Sequence, residues 1–241
     1  MKKKNLPNVP ENAKLMDENT PYAIKEAFNQ LRINIMYHPN NSEGCPVYGI
    51  TSAEMGVGKS TVIANLAVSF AQLGQRVLIV DADMRRPTQH KILGVGHKSN
   101  GFSELLSDII KDDASVMKNS RENVSVITSG ALPPNPSALM LSKKVGELIE
   151  KWKREFDIIF IDLPPVGIVT DPLTISDKLT GYIIVATVNK SDARYLNAAI
   201  DAINQIGADI VGLVINGADP KGNDYNYKYQ YKRKNTDSAY Y

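Results

Sequence analysis

Residues 53–61 read Ala53-Glu54-Met55-Gly56-Val57-Gly58-Lys59-Ser60-Thr61. Two glycines, a lysine and a hydroxyl at this spacing suit the phosphates of a nucleotide. Gly56 and Gly58 accept backbone conformations that other residues resist, so a nest of N–H groups can face a phosphate. Lys59 is placed to reach the β- and γ-phosphates and Ser60 to ligate magnesium, with Thr61 packing or capping behind them. The strict pattern has glycine where this chain has Ala53. Because the loop acts through its backbone, that change is minor. The alternative reading is a fortuitous Gly-x-Gly turn. However, an apolar run precedes the segment and a helical pattern follows it, which is the context a phosphate loop requires. The helix N-terminus adds a favourable field for anions.

Two more stretches carry acidic chemistry. Val77–Val80 is an apolar run that ends in Asp81-Ala82-Asp83, followed by Arg85-Arg86-Pro87. Ile158–Ile161 ends in Asp162, followed by Leu163-Pro164-Pro165. Ligands of α/β sheets bind at the carboxyl ends of parallel strands, and a magnesium nucleotide needs carboxylates nearby. Asp162 reads as the Walker B group. Asp81 and Asp83 read as a further pair near the metal and the attacking group, and either is placed to act as base toward a hydroxyl. Taken singly, each aspartate also fits a helix cap or turn; three at these positions point to a metal. Arg85 and Arg86 read as contacts to phosphates or acidic surfaces, or as a solvated pair.

Elements must bring these groups together. Strands are predicted near 47–51, 76–81, 124–128, 157–162, 182–188 and 210–216. Helices are predicted near 59–73, 101–111, 137–154, 171–178 and 192–206. Short apolar strands alternating with helices give an α/β P-loop NTPase fold, a mostly parallel sheet with helices on both faces. A further helix fits 22–36, with Ala23, Ala27, Leu31 and Ile35 on one face. The expected layout is a mobile arm over 1–20, one P-loop domain over 21–220 and a disordered tail over 221–241.

Composition excludes several classes. The formal net charge is +2 over 241 residues. Residues 221–241 hold five basic and two acidic side chains, so the tail is +3 and the body is close to neutral. No broad basic field predicts nucleic-acid binding. The single cysteine, Cys45, allows no internal disulfide and suits a reducing cytoplasm. No apolar run approaches the ~18 residues of a membrane span, and Met1-Lys2-Lys3-Lys4 is followed by no signal-peptide core.

The tail is distinctive. Tyr225, Tyr227, Tyr229 and Tyr231 alternate, and Tyr240 and Tyr241 follow, so six of the eleven tyrosines lie here. An edge strand with aromatic residues on one face is one reading. The other is a set of phosphoacceptors on a segment that spans roughly 70 Å when extended.

Gly-Val-Gly-Lys-Ser-Thr, Val-Asp-Ala-Asp-Met-Arg-Arg-Pro and Ile-Asp-Leu-Pro-Pro together resemble the bacterial tyrosine kinases (BY-kinases), whose Walker A′ motif is similar to residues 77–83. Gly101-Phe-Ser-Glu-Leu-Leu and Ser129-Gly-Ala-Leu-Pro-Pro-Asn-Pro are similar to that family's connecting segments. The resemblance implies an ATP- and Mg2+-dependent protein-tyrosine kinase that autophosphorylates its tyrosine cluster and acts in capsule or exopolysaccharide production on protein tyrosine substrates. It implies a homo-oligomeric ring that presents each tail to the next active site. The helix carrying Glu26 and Arg32 resembles the oligomerisation motif, with Asn29 where the first arginine belongs; an ordinary exposed helix face is the alternative. Asn216 is implied as an adenine contact, with a turn residue as its rival. The family's split arrangement implies a separate transmembrane activator of the chain-length-determinant type, which would recruit a cytoplasmic kinase to the inner face of the membrane. The Min and Par positioning ATPases share the fold, but their P-loop starts with a lysine that crosses a dimer. Glu54 reverses that charge. A non-catalytic nucleotide-binding adaptor is the third class.

Overall fold

The structure is a computed structural model that describes residues 15–39, 44–96, 100–188 and 190–218. All six tail tyrosines lie outside the described residues. The apolar runs form strands β1 (Val47–Ser52), β2 (Val77–Asp81), β4 (Val124–Ile127), β5 (Ile158–Asp162), β6 (Gly181–Thr187) and β7 (Ile210–Asn216), with β3 (Met117–Arg121) between the second and third of these. Their order across the sheet is β3-β4-β2-β5-β1-β6-β7. Neighbours run parallel except β3 and β4. The strand β3 was not expected. Its sequence, Met-Lys-Asn-Ser-Arg, lacks an apolar run because it is a half-exposed edge.

Helices cover both faces, as the pattern predicts. One face carries α1 (Tyr22–Met36), α2 (Lys59–Ala71) and the single turn α3 (Gln89–Ile92), packed on Tyr48, Ile50, Val77, Ile79 and Phe160. The other carries α4 (Phe102–Leu106), α5 (Pro136–Met140), α6 (Lys143–Trp152) and α7 (Ala193–Gln205), packed on Leu78, Val80, Ile159, Ile161 and Ile184. The helix expected over 101–111 is only α4, since the chain turns at Asp108, which has a φ of 55°. The helix expected over 137–154 is two, because Ser142 takes an extended backbone. The segment Asp171–Lys178 is 3₁₀ rather than α. The stretches beginning at Gly101 and Ser129 dock on each other: Glu104 accepts hydrogen bonds from the N–H groups of Gly101 at 2.8 Å and Ala131 at 3.2 Å.

The first helix departs from its expected face. Ile35 is buried and Phe28 and Leu31 pack beside it, but Ala23 and Ala27 are exposed. The expected stripe followed sequence spacing; the actual stripe is set by contact with α2. Arg32 belongs to that contact. Its Nη1 donates to the Ser69 carbonyl at 2.5 Å and the Ser69 hydroxyl at 2.8 Å, whereas Glu26 is exposed. Residues just before the helix are also anchored: Met16 is buried, and its N–H donates to Asn65 Oδ1 at 2.6 Å.

Hydrogen bonds from a charged donor are each worth about 1.5–3 kcal/mol. Arg32→Ala is therefore expected to speed hydrogen exchange of the α1 amides markedly while leaving those of α2 slow. Unchanged α1 exchange would contradict this anchoring role.

Candidate active site

The loop 53–58 leaves the end of β1, which lies between β5 and β6, and opens α2. Gly56 and Gly58 have φ of 73° and 85°, the left-handed region that favours glycine. A Cβ on Gly58 would also collide with the Asn216 amide. The outer side of the loop is braced. The Val57 carbonyl accepts from Thr187 Oγ1 at 2.8 Å and from Asn216 Nδ2 at 2.9 Å. The Gly56 carbonyl accepts from Lys190 Nζ at 3.0 Å, and the Glu54 carbonyl from Ser52 Oγ at 2.8 Å. Ala53 and Val57 are buried in the two cores, while Met55 is exposed. With these carbonyls engaged by the protein, the N–H groups of the loop are left for an anion.

Sheet register assembles the acidic groups. β2 and β5 are adjacent, and Asp81 pairs with Asp162 in register. Lys59 reaches across from the start of α2 to an ion pair with Asp162, and its Nζ lies 3.9 Å from Asp83. All four side chains are buried. Burial works against the Lys59 ammonium, but Asp162, Asp83 and Asp81 outweigh it and hold its pKa above the ordinary lysine value. Asp81 is pushed well above the carboxylate range by burial, with Asp162 and Asp83 adding to the shift. Asp83 is raised by burial too, with Lys59 offsetting part of the rise. Asp81 Oδ2 accepts from the N–H groups of Thr88 and Gln89, both at 3.1 Å, but its Oδ1 is buried without a protein donor.

Three side chains have jobs that the sequence did not disclose. Glu54 Oε2 accepts from the Asp192 N–H at 3.1 Å, which ties the loop to the start of α7. Arg85 is exposed along part of its side chain, and its guanidinium engages an acidic partner. It grips the buried Asp171 (3.0 Å from Nε) and Ser137 Oγ (3.1 Å from Nη2), joining the segment after β2 to the opposite layer. Gln89 lies within the acidic cluster; only its position after a Pro-Thr pair could have suggested it. Arg86 is exposed.

Comparisons with known proteins fit this geometry. A ParA-type family model, described as NUBPL iron-transfer P-loop NTPase, matches residues 46–236. The tyrosine-protein kinase CpsD of Streptococcus pneumoniae serotype 4 is 33% identical over 201 residues, covering 83% of this chain and 87% of CpsD. The chain belongs to the bacterial tyrosine kinase family. Among solved structures, the chimerical protein CapA2B2 aligns with a TM-score of 0.77 at 35% identity, covering 82% of this chain and 86% of that one. The kinase domain of the Escherichia coli tyrosine kinase ETK aligns with a TM-score of 0.75 at 29% identity, covering 82% and 77%. The expected P-loop fold and kinase family are both borne out. The iron-transfer description applies to the family model; iron–sulfur clusters are held by several thiolates, and this kinase-family chain has one cysteine.

The residues present fit magnesium. Among the described residues no group of three or more His, Cys, Asp or Glu side chains could hold a metal by itself. Magnesium does not need such a cage, because it binds through one or two carboxylates plus substrate phosphates and keeps several waters. Once ionised, the form that a nearby cation favours, the unpartnered Asp81 Oδ1 is an acceptor of the kind such a hydrated ion would satisfy.

A carboxyl whose folded-state pKa lies above its unfolded value costs stability as pH rises through that window. Asp81→Asn keeps an acceptor for Thr88 and Gln89 and puts an NH2 group in place of the orphaned oxygen. The substitution is expected to raise the Tm of the nucleotide-free protein at pH 8. The gain should fade as pH falls below the ordinary carboxylate value of about 4, where wild-type Asp81 is protonated in both states. A gain independent of pH would contradict the assignment.

Proposed function

We propose that the chain is an ATP·Mg-dependent protein-tyrosine kinase that autophosphorylates its C-terminal tyrosine cluster in trans and regulates capsular or exopolysaccharide biosynthesis. The observation that carries the reading is the pairing of Lys59 with Asp162 and Asp83, with Asp81 in register beside Asp162 on the adjacent strand, next to a loop shaped for phosphate. Residues 53–61 hold the triphosphate through backbone N–H groups. Lys59 exchanges Asp162 for the β- and γ-phosphates. Asn216 continues the nucleotide cradle toward the adenine. Ser60 and Asp162, with Asp81 and Asp83, hold magnesium, which supplies neutralisation of phosphate charge when bound.

The acceptor hydroxyl needs a base that it can reach. The Asp83 side chain is 11% exposed, whereas those of Asp81 and Asp162 are closed off. A tyrosine from outside therefore meets Asp83 first. The raised pKa of Asp83 suits it to accept the phenolic proton. Phosphoryl transfer asks for little more than positioning and charge stabilisation, and the braced loop and buried cluster supply both.

The tail (221–241) carries the acceptors Tyr225, Tyr227, Tyr229, Tyr231, Tyr240 and Tyr241. It follows the domain 21–220, and the arm 1–20 precedes that domain. Oligomerisation through the α1 surface around Glu26 would bring each tail to a neighbouring site. Arg32 would contribute by fixing α1 on α2 rather than by an ion pair across subunits. A transmembrane activator of the chain-length-determinant type would recruit the chain to the inner membrane face and switch it on. No helix of the described residues is long and apolar enough to cross a membrane.

Incubation with ATP·Mg, with and without a candidate activator segment, tests this directly. Mass spectrometry is expected to find phosphotyrosine within residues 225–241 that disappears in Lys59→Met. Hydrolysis without phosphotyrosine, even with activator, would instead indicate a positioning ATPase; nucleotide binding with neither would indicate an adaptor.

A further inference from the structure

Gln89 is fully buried at the junction of the two acidic strand ends, Asp81 and Asp162, and the start of α2. Its Nε2 donates to Asp162 Oδ2 at 2.7 Å and to the Ser60 carbonyl at 3.1 Å. Its N–H donates to Asp81 Oδ2 at 3.1 Å. Both partners of the side-chain amide are acceptors, which fixes its orientation: nitrogen toward Asp162 and Ser60, oxygen away from them. That oxygen, Oε1, is buried and has no donor among the described residues. A buried acceptor without a donor calls for one that the described residues do not supply.

Packing alone does not account for this arrangement, since an apolar side chain would fill the space without an orphaned oxygen. A hydrated cation does account for it. Magnesium keeps several of its waters when it binds proteins, and those waters donate hydrogen bonds. We propose that Gln89 is a magnesium-positioning residue. Its Oε1 accepts from a water of the metal held at Ser60 and Asp162, and its Nε2 fixes the Asp162 carboxylate that faces the ion. Outer partners of this kind govern metal affinity, and their loss typically costs about 10–100-fold. The proposal rests on the nucleotide reading of the site.

The test is calorimetric binding of ADP to the full chain with saturating Mg2+ and with EDTA. Wild type is expected to bind ADP more tightly with Mg2+. Gln89→Met, close to isosteric, is expected to lose about tenfold or more of that enhancement while binding metal-free ADP as wild type does. If Gln89→Met does not melt cooperatively, Gln89→Asn, one methylene too short to reach Asp162, takes its place. An unchanged Mg2+ enhancement in the loss-of-contact variant overturns the proposal and leaves the nucleotide reading intact. Equal weakening with and without Mg2+ assigns Gln89 to packing and overturns it as well. A wild-type chain that does not bind ADP at all removes the nucleotide reading, and the proposal with it.

Discussion

The site is organised around one buried ion pair, Lys59 with Asp162. A buried ammonium and carboxylate cost several kcal/mol each to desolvate, and their attraction often does no more than restore that loss. The pair is therefore poorly explained as a source of stability. Its setting is that of a poised charge. Two further carboxylates, Asp81 and Asp83, lie close enough to raise the pKa of Lys59, and their own pKa values are raised in turn. Three acidic groups share one lysine. A polyphosphate accompanied by a divalent cation resolves both imbalances at once, giving the lysine an anion and the carboxylates a cation.

The rest of the fold keeps that cluster in place. The register of β2 on β5 sets Asp81 beside Asp162, and the central position of β1 delivers the loop next to both. Thr187, Lys190 and Asn216, from the β6 and β7 side, hold the outer carbonyls of the loop. Arg85 ties the segment carrying Asp83 to Asp171 across the molecule. Glu54 is engaged with the Asp192 N–H within its own chain. A lysine reaching out of that position to a partner's nucleotide would need both the opposite charge and freedom from this contact.

Much of this was legible in the sequence. Gly56, Gly58, Lys59 and Ser60 announce themselves because the conformation and chemistry of a phosphate loop admit few residue types. Asp81 and Asp162 stand out because each ends a run that is buried on both faces. What was not legible depended on long-range contact. Nothing near Arg32 in the sequence indicates Ser69 as its partner; the role in oligomerisation comes from resemblance to the family's motif. Ala23 and Ala27 have helical spacing, but spacing does not reveal how much of a helix touches its neighbour. The polar strand β3 has no hydrophobic signal because its faces are half exposed. Gln89 belongs to a residue type found on most surfaces, and its burial emerges only once β2, β5 and α2 converge.

The central claim is that Lys59 is held by Asp162 until a nucleotide claims it. The most direct measurement is a crystal structure of the full chain with magnesium and a non-hydrolysable ATP analogue. The account predicts the analogue's phosphates on the inner side of loop 53–58, with Lys59 Nζ moved from Asp162 onto them and the metal beside Ser60 and Asp162. A bound analogue that leaves Lys59 paired with Asp162, or that lies away from this loop, would contradict it.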